Sequence, residues 1–311
     1  MATRTLADSF DAATSAPAGI ASQSGMGALR VLLLNYEYPP LGGGAGVASA
    51  ALAEHLAARG VVVDVLTSRP AGARDADIVD GMGCVIASPT LTLYRVWSRR
   101  RGVHQAGFFG AGSYLLAAVP VARRLMRRHR YDIVHIFFSL PTGALIPALP
   151  LGDTPVLVSL RGSDVPGYDE RNPRLVFAHR VLHPLTRWIW RRASRVVPVC
   201  ESLGELARGT LPSLRYTVIG NGVDLDLFRP SEAPRAAVSD PTAVRCLAVT
   251  RLIERKGVDD LLRAWTLLER GRYPLEIAGG GPDEARLRTM AAELGVDGDV
   301  SFLGALPRDK I

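Results

Sequence analysis

The chain has 311 residues, 48% of them apolar and 22% charged, and a net charge of +7. That balance excludes wholesale disorder, a collagen and a coiled-coil rod, and the length predicts two domains with sizeable cores. Three scattered cysteines, Cys84, Cys200 and Cys246, exclude a disulfide framework and a structural zinc site, and they predict a reducing, cytoplasmic setting.

Residues 1–27 read as a flexible tail without the apolar stretch of a secretory signal. Residues 30–35 (RVLLLN) then form a buried strand, 46–59 an Ala-rich helix, and 61–67 and 83–87 two further strands. A helix over 113–130 is followed by strands at 132–137 and 155–160, a helix at 173–192 and a strand at 195–199. A helix at 201–208 and a strand at 216–219 close this first series. Strands that are apolar throughout, rather than alternating, belong to a parallel sheet covered on both faces. Repeated alternation of strand and helix predicts an α/β, doubly wound architecture. Two uncharged windows, 105–122 and 133–152, contain glycine, proline or histidine and read as strands, loops and helices rather than membrane spans.

Residues 229–242 (RPSEAPRAAVSDPT) hold three prolines and little apolar content, the composition of a linker. The alternation restarts after it: strand 245–250, helix 258–269, strand 275–278, helix 284–294, strand 300–303. The expected layout is a tail at 1–27, a first α/β domain at 28–228, the linker at 229–242, and an incomplete second domain at 243–311.

Five motifs sit at strand ends. PPLGGGAG, at 39–46, joins the first strand to its helix; it is either a structural turn or a loop whose backbone N–H groups hold a phosphate. Gly44-x-Gly46 with Asp64 further on has the outline of a dinucleotide fingerprint, but Gly44 lies too far past the strand end. Arg251 and Lys256, in RLIERKG, follow a strand and precede a helix; two cations there either clamp a diphosphate or belong to a solvated loop. AGGGP, at 278–282, lets backbone approach a ligand at the end of the next strand. LRGSDV, at 160–165, places Arg161, Ser163 and Asp164 at the domain edge, facing the expected cleft, with Asp164 either a site residue or a cap. In NGVDLD, at 221–226, Asp224 and Asp226 have the form of a metal-binding D-x-D, but Asp224 reads better as the cap of a short helix, so no metal site is expected.

Nearly all of the basic charge is arginine, clustered at 99–101, 123–130 and 187–195. These clusters read as solvated helix faces or as docking sites for an anionic membrane surface. No nucleic-acid-binding module or aromatic platform accompanies them, so nucleic acid is not an expected partner.

Taken together and in order, VLLLNYEYPPLGGGAGVASAALAEHLAARG, VLVSLRGSDV, VIGNGVDLDLF, LAVTRLIERKG, LEIAGGGPDEARLRTMAAELG and VSFLGAL resemble the family 4 retaining glycosyltransferases of the GT-B fold, over 29–311. The resemblance implies two Rossmann-like domains, the first receiving an acceptor and the second a UDP- or GDP-sugar donor. It assigns Arg251 and Lys256 to the donor diphosphate, and Gly43 and Gly44 to the loop over the phosphates and sugar. Gly280 and Gly281 fall near the nucleotide, and the segment ending at Gly304 lies against the base. It implies a nucleotide-sugar as substrate, with no cofactor and no bound metal. It also implies a glycan, lipid or small-molecule acceptor, whose specificity is expected in loops near 95–109 and 167–174; the arginine clusters and the scattered cysteines add the expectation of a cytoplasmic protein with peripheral contact at the inner membrane face.

Two departures from the family pattern stand out. Arg161 replaces a frequent histidine; it cannot act as a base at neutral pH, but it can bind an anionic acceptor or a sugar carboxylate. The family's pair of glutamates separated by seven residues is expected beyond Ile311, which leaves the catalytic residues unassigned, with Arg161 and Asp164 as candidates. The alternative reading is a catalytically inactive relative that acts as a binding protein; an NAD-dependent oxidoreductase is a third.

Overall fold

The structure, a computed structural model, describes residues 28–306 apart from 74, 76, 80, 101, 103–106, 226, 227 and 229–243. The expected tail and linker lie outside the described residues. The chain divides into two compact units, Met1–Val223 and Asp224–Ile311.

In the first unit, unbroken apolar runs become central strands. These are β1 (Arg30–Leu34), β2 (Val62–Ser68), β6 (Ile133–Phe137), β7 (Val156–Leu160) and β8 (Arg195–Pro198). Three further strands, β3 (Asp77–Val79), β4 (Met82–Ser88) and β5 (Leu91–Val96), complete an eight-stranded sheet in the order β3-β4-β5-β2-β1-β6-β7-β8. The strands from β5 to β8 run parallel, and β4 and β3 add an antiparallel edge. Numbered along the chain without that edge, the parallel strands run 3-2-1-4-5-6. The order therefore reverses between β1 and β6, the place where such sheets open a crevice at their C-terminal ends.

Helix α1 (Gly44–Ala58) covers one face, packing Ala50, Ala53 and Ala57 on Leu33, Val63 and Val65. The small alanines let it lie close to the sheet. Helices α2 (Gly107–Arg128), α3 (Pro173–Arg192) and α4 (Glu201–Thr210) cover the other face, with a 3₁₀ helix at Thr142–Ala148 between α2 and α3. Asn172 caps α3, its Oδ1 accepting from the Leu175 N–H at 3.2 Å, and Pro173 occupies the first turn, where no donor is needed. No helix among the described residues is long and apolar enough to cross a membrane.

The structure departs from the expected elements in two places. Residues 216–219 form an isolated bridge from Tyr216 to Val196 instead of a strand. β5 and the β3–β4 hairpin lie where one strand and a loop were expected; β5 pairs with β2 from Val63↔Leu91 to Ser68↔Val96.

The second unit repeats the start of the same winding. β9 (Cys246–Val249), α5 (Val258–Trp265), β10 (Leu275–Ala278), α6 (Glu284–Glu293) and β11 (Val300–Gly304) give a parallel sheet ordered β11-β10-β9. Leu262, Ile277, Leu287 and Ala291 form its core. Both units are thus Rossmann-like.

Candidate functional site

The motif residues of the second unit converge because two backbone segments lie almost in contact. Thr250 N–H donates to Ala278 O at 3.0 Å, Leu252 N–H to Gly280 O at 3.0 Å, and Asp283 N–H to Leu252 O at 3.2 Å. A Cβ at Gly279, where φ is +147°, would lie 1.7 Å from Thr250 O; one at Gly281 would lie 2.1 Å from Leu252 O. Glycine is therefore obligatory at both positions. Gly280 has room, its nearest neighbour being Ala305 at 3.6 Å. Gly304, with φ of +71°, accepts from Gly279 N–H at 2.7 Å and closes the same turn. The loop carrying Arg251 and Lys256 is thereby fixed beside 279–281, at the C-terminal ends of β9, β10 and β11.

Charge pairing separates these two cations from their neighbours. Arg245 pairs with Glu276, Arg263 with Asp259 and Asp260, Arg272 with Glu269, Arg286 with Asp283 and Arg288 with Glu284. Arg270 donates to Gly295 O. The side chains of Arg251 and Lys256 have no hydrogen bond or ion pair among the described residues. Lys256 ends a 3₁₀ turn, and Gly257, at φ of +65°, starts α5 without a side-chain cap. Two unpaired cations beside an uncapped helix start can receive an anion.

In the first unit the glycine loop leads into α1. Gly42, with φ of +93°, and Gly46, whose Cβ would lie 2.9 Å from Leu41 O, are required by local packing. Gly43 and Gly44 are not: a Cβ at either would meet nothing within 4 Å. Gly43 N–H points at Glu37 Oε2, 3.4 Å away, and Glu37 lies 3.9 Å from the guanidinium of Arg100, whose side chain is 5% exposed. Burial lowers the Arg100 pKa against the raising effect of Glu37. Asp64 is not at a ligand-facing strand end. It sits near the start of β2 and binds Arg30 at 2.8 Å and the Tyr131 hydroxyl at 2.7 Å, so the dinucleotide fingerprint lacks its acid.

A cavity of about 1070 Å³ opens at the reversal between β1 and β6. Tyr36 and Glu37 line it after β1, Pro141 after β6 and Ser163 after β7, while Phe108 and Arg174 come from the first turns of α2 and α3. Ser163 was expected at this edge from LRGSDV, Phe108 falls in the 95–109 loop and Arg174 in the 167–174 loop; Tyr36, Glu37 and Pro141 did not stand out in the sequence, because the lining is drawn from several separate connections.

Arg161 and Asp164 occupy the turn after β7. Asp164 is 1% exposed; its Oδ1 accepts from the N–H groups of Arg161 at 2.8 Å and Gly162 at 3.0 Å, and its Oδ2 from Ser139 N–H at 2.7 Å. It ties the turns after β6 and β7 together. Burial raises its pKa, opposed by these hydrogen bonds. The Arg161 guanidinium stacks 4.1 Å from the centre of the Phe137 ring, and its Nη1 donates to Asn221 Oδ1 at 2.6 Å. Behind it, His135 bonds Ser159 at 2.8 Å; burial, reinforced by the Arg161 charge, pushes its pKa down to about 3. In NGVD, Asp224 O accepts from Phe228 N–H at 2.9 Å, while Asp226 lies outside the described residues.

Comparison with known proteins bears on both units. Residues 42–227 match Glycosyltransferase Family 4, and residues 232–311 match Glycosyl transferases group 1. The GDP-mannose-dependent alpha-(1-6)-phosphatidylinositol monomannoside mannosyltransferase of Mycobacterium tuberculosis is 32% identical over 206 residues, 61% of this chain and 49% of that protein. The D-inositol 3-phosphate glycosyltransferase of Mycobacterium bovis is 29% identical over 298 residues, 88% of this chain and 59% of that protein. The chain thus spans about half to three-fifths of the length of these relatives. Among solved structures, sucrose-phosphate synthase from Thermosynechococcus elongatus superposes with a TM-score of 0.68 at 20% identity, covering 91% of this chain and 72% of that one, a likeness of fold. With the first match spanning more than half of its residues, the chain belongs to Glycosyltransferase Family 4.

Proposed function

We propose that the chain binds a UDP- or GDP-sugar through its second unit and an acceptor through its first, and that it transfers the sugar with retention of anomeric configuration. The observation that carries this reading is the unpaired Arg251 and Lys256 beside the obligatory glycines Gly279 and Gly281. In transfer, a nucleoside diphosphate leaves with growing negative charge. Two cations held at strand ends stabilise that charge more in the transition state than in the ground state. They supply what a divalent metal otherwise supplies, so the proposed transfer needs neither metal nor cofactor. Gly280 and Gly304 offer open backbone for close approach of the donor in the second unit, and Gly43 and Gly44 offer the same in the first.

The cavity after β1 and β6 is assigned to the acceptor. Its mixture of aromatic, acidic and basic lining suits a hydroxyl-bearing glycan, lipid or small molecule. The two named relatives act, by their names, on a phosphatidylinositol mannoside and an inositol phosphate, which supports a polyol acceptor and, for the first, a GDP-mannose donor. Asp164 is assigned to positioning, since its carboxylate is buried and engaged. Peripheral contact with the inner face of a membrane, through the arginine-rich helices α2 and α3, belongs to the same proposal.

Calorimetry with UDP and GDP tests the donor site. Charge-assisted contacts contribute about 1.5–3 kcal/mol each, so the Arg251→Ala, Lys256→Ala double variant should bind roughly a hundredfold more weakly or worse. Unchanged affinity would sink the assignment. In the same preparation, transfer from the donor that binds should survive EDTA, and proton NMR of the product should show the anomeric configuration of the donor.

A further inference from the structure

Two cations withdrawn from solvent in the first unit have an acid beside them: Asp64 for the partly buried Arg30 and Glu37 for the buried Arg100. Arg161 differs. It forms no ion pair among the described residues, and a single hydrogen bond, from Nη1 to Asn221 Oδ1, engages its guanidinium. Nε is buried without a partner. Nη2 donates to no described residue.

The acid that acts on it electrostatically, Asp164, already spends both carboxylate oxygens on three backbone N–H groups. Desolvation outweighs Asp164 and draws the Arg161 pKa down to about 10. His135, held neutral, adds no counter-charge. Arg161 as a whole is partly buried, with its Nε fully so; a charge even partly withdrawn from water and left without an acid is costly, and folds retain such a charge where something else compensates it.

Its placement indicates what compensates it. Arg161 follows β7, and its guanidinium carbon lies 4.1 Å from the ring centre of Phe137, the fully buried last residue of β6. It therefore sits at the C-terminal edge of the sheet, one strand from the reversal between β1 and β6, where ligands of such sheets bind. A guanidinium seated over a ring and steadied by Asn221 presents donors in a restricted position. That geometry matches the oxygens of a carboxylate or phosphate.

We infer that Arg161 is an oxyanion-binding residue, which holds a carboxylate or phosphate group of a substrate at the C-terminal edge of β6 and β7. Calling the ligand a substrate rests on the transferase reading; the anion site itself does not. Asn221 and Asp164 act as positioning residues, Asn221 through the guanidinium and Asp164 through the backbone of the turn.

The test uses the full chain without nucleotide. Wild type, Arg161→Gln and Arg161→Lys are titrated by calorimetry with D-glucuronate and with inorganic phosphate, and with D-glucose as the neutral control. At least one oxyanion should bind wild type about tenfold or more tightly than it binds Arg161→Gln, as the loss of a charge-assisted contact implies. Arg161→Lys, which keeps the charge and loses the fork, should fall between them. The arm that binds tells a sugar carboxylate from a phosphate. The inference is overturned if wild type binds neither oxyanion more tightly than glucose, or if Arg161→Gln binds as wild type does. Should Arg161→Gln fail to fold, the same comparison is read from Arg161→Lys, where affinity equal to wild type overturns it. UDP and GDP titrations of wild type score the transferase reading separately. Oxyanion binding without nucleotide binding removes that reading and leaves the site, and the reverse removes the site and leaves the reading.

Discussion

At the scale of single residues, glycines with the same look in the sequence serve different ends. Gly281 is fixed by packing, since any Cβ there would overlap Leu252 O. Gly281→Ala should therefore lower stability by about 1–3 kcal/mol, the usual cost of forced overpacking, in urea unfolding. Gly43 has a negative φ of −120°, and its Cβ would enter open space. Gly43→Ala should leave the urea midpoint nearly unchanged and yet slow transfer about tenfold or more, if donor phosphates approach that backbone closely. Unaltered turnover would remove Gly43 from the donor site. His135 gives a pH signature of its own. Its pKa is about 3 in the fold, against about 6.5 in an unfolded chain. Between those values the unfolded chain binds a proton that the fold refuses. Stability should thus be full above pH 6.5 and fall by up to about 1.4 kcal/mol per unit as pH drops through that window. His135→Gln should flatten the slope between pH 6.5 and 4 by about one proton; an unchanged slope would show that burial does not hold the ring neutral. Asp164, whose pKa is raised, contributes with the opposite sign, but it is present in both proteins and cancels in the comparison.

At the scale of elements, what was legible depends on what each segment touches. β1 and β7 were readable as RVLLL and VLVSL because both of their faces are covered, so nearly every side chain is apolar. β5 mixes Thr92 and Arg95 among its apolar residues, and its pairing with β2 comes from a partner 28 positions earlier at Val63↔Leu91, which no local pattern encodes. Residues 216–219 look like a strand because they make half of one. Thr217 and Ile219 N–H groups donate to Val196 and Pro198 carbonyls, but among the described residues no strand pairs on the outer side, and Ile219 stays exposed. The candidate donor site was legible as motifs, since Arg251, Lys256 and the glycine turn lie on consecutive strand ends of a parallel sheet. Which glycines packing demands was not, because that depends on the approach of Thr250 and Leu252 from another strand. The same limit applies to Asp164: a short-range cap and a clamp on Ser139, 25 residues away, look alike in sequence. The cavity lining was the least readable part, because it is assembled from loop and helix-start residues that share no spacing.

At the scale of the whole molecule, the excess of +7 is unevenly placed. Helix α2 carries four arginines and α3 five, and neither contains an acid. Both pack on the same face of the eight-stranded sheet, and the first turn of each lines the cavity assigned to the acceptor. Along α3, Phe177, Val181 and Trp188 are exposed at helical spacing among Arg174, Arg180, Arg187 and Arg191. An apolar stripe flanked by cations is the pattern of a helix that lies in a membrane interface. Each arginine near an anionic surface contributes about 1 kcal/mol, an attraction that salt screens within a Debye length of roughly 10 Å. The chain should therefore co-sediment with vesicles containing phosphatidylglycerol at low salt, be released by about 0.5 M salt, and ignore pure phosphatidylcholine. Replacing Arg180, Arg187 and Arg191 by glutamine removes about 3 kcal/mol and should weaken binding on the order of a hundredfold. Trp188→Ser should weaken binding while leaving its salt dependence unchanged, since burial of the ring is not screened. Equal sedimentation with both vesicle types, or none with either, would mean that these arginines are solvated faces and that the acceptor reaches the cavity from water.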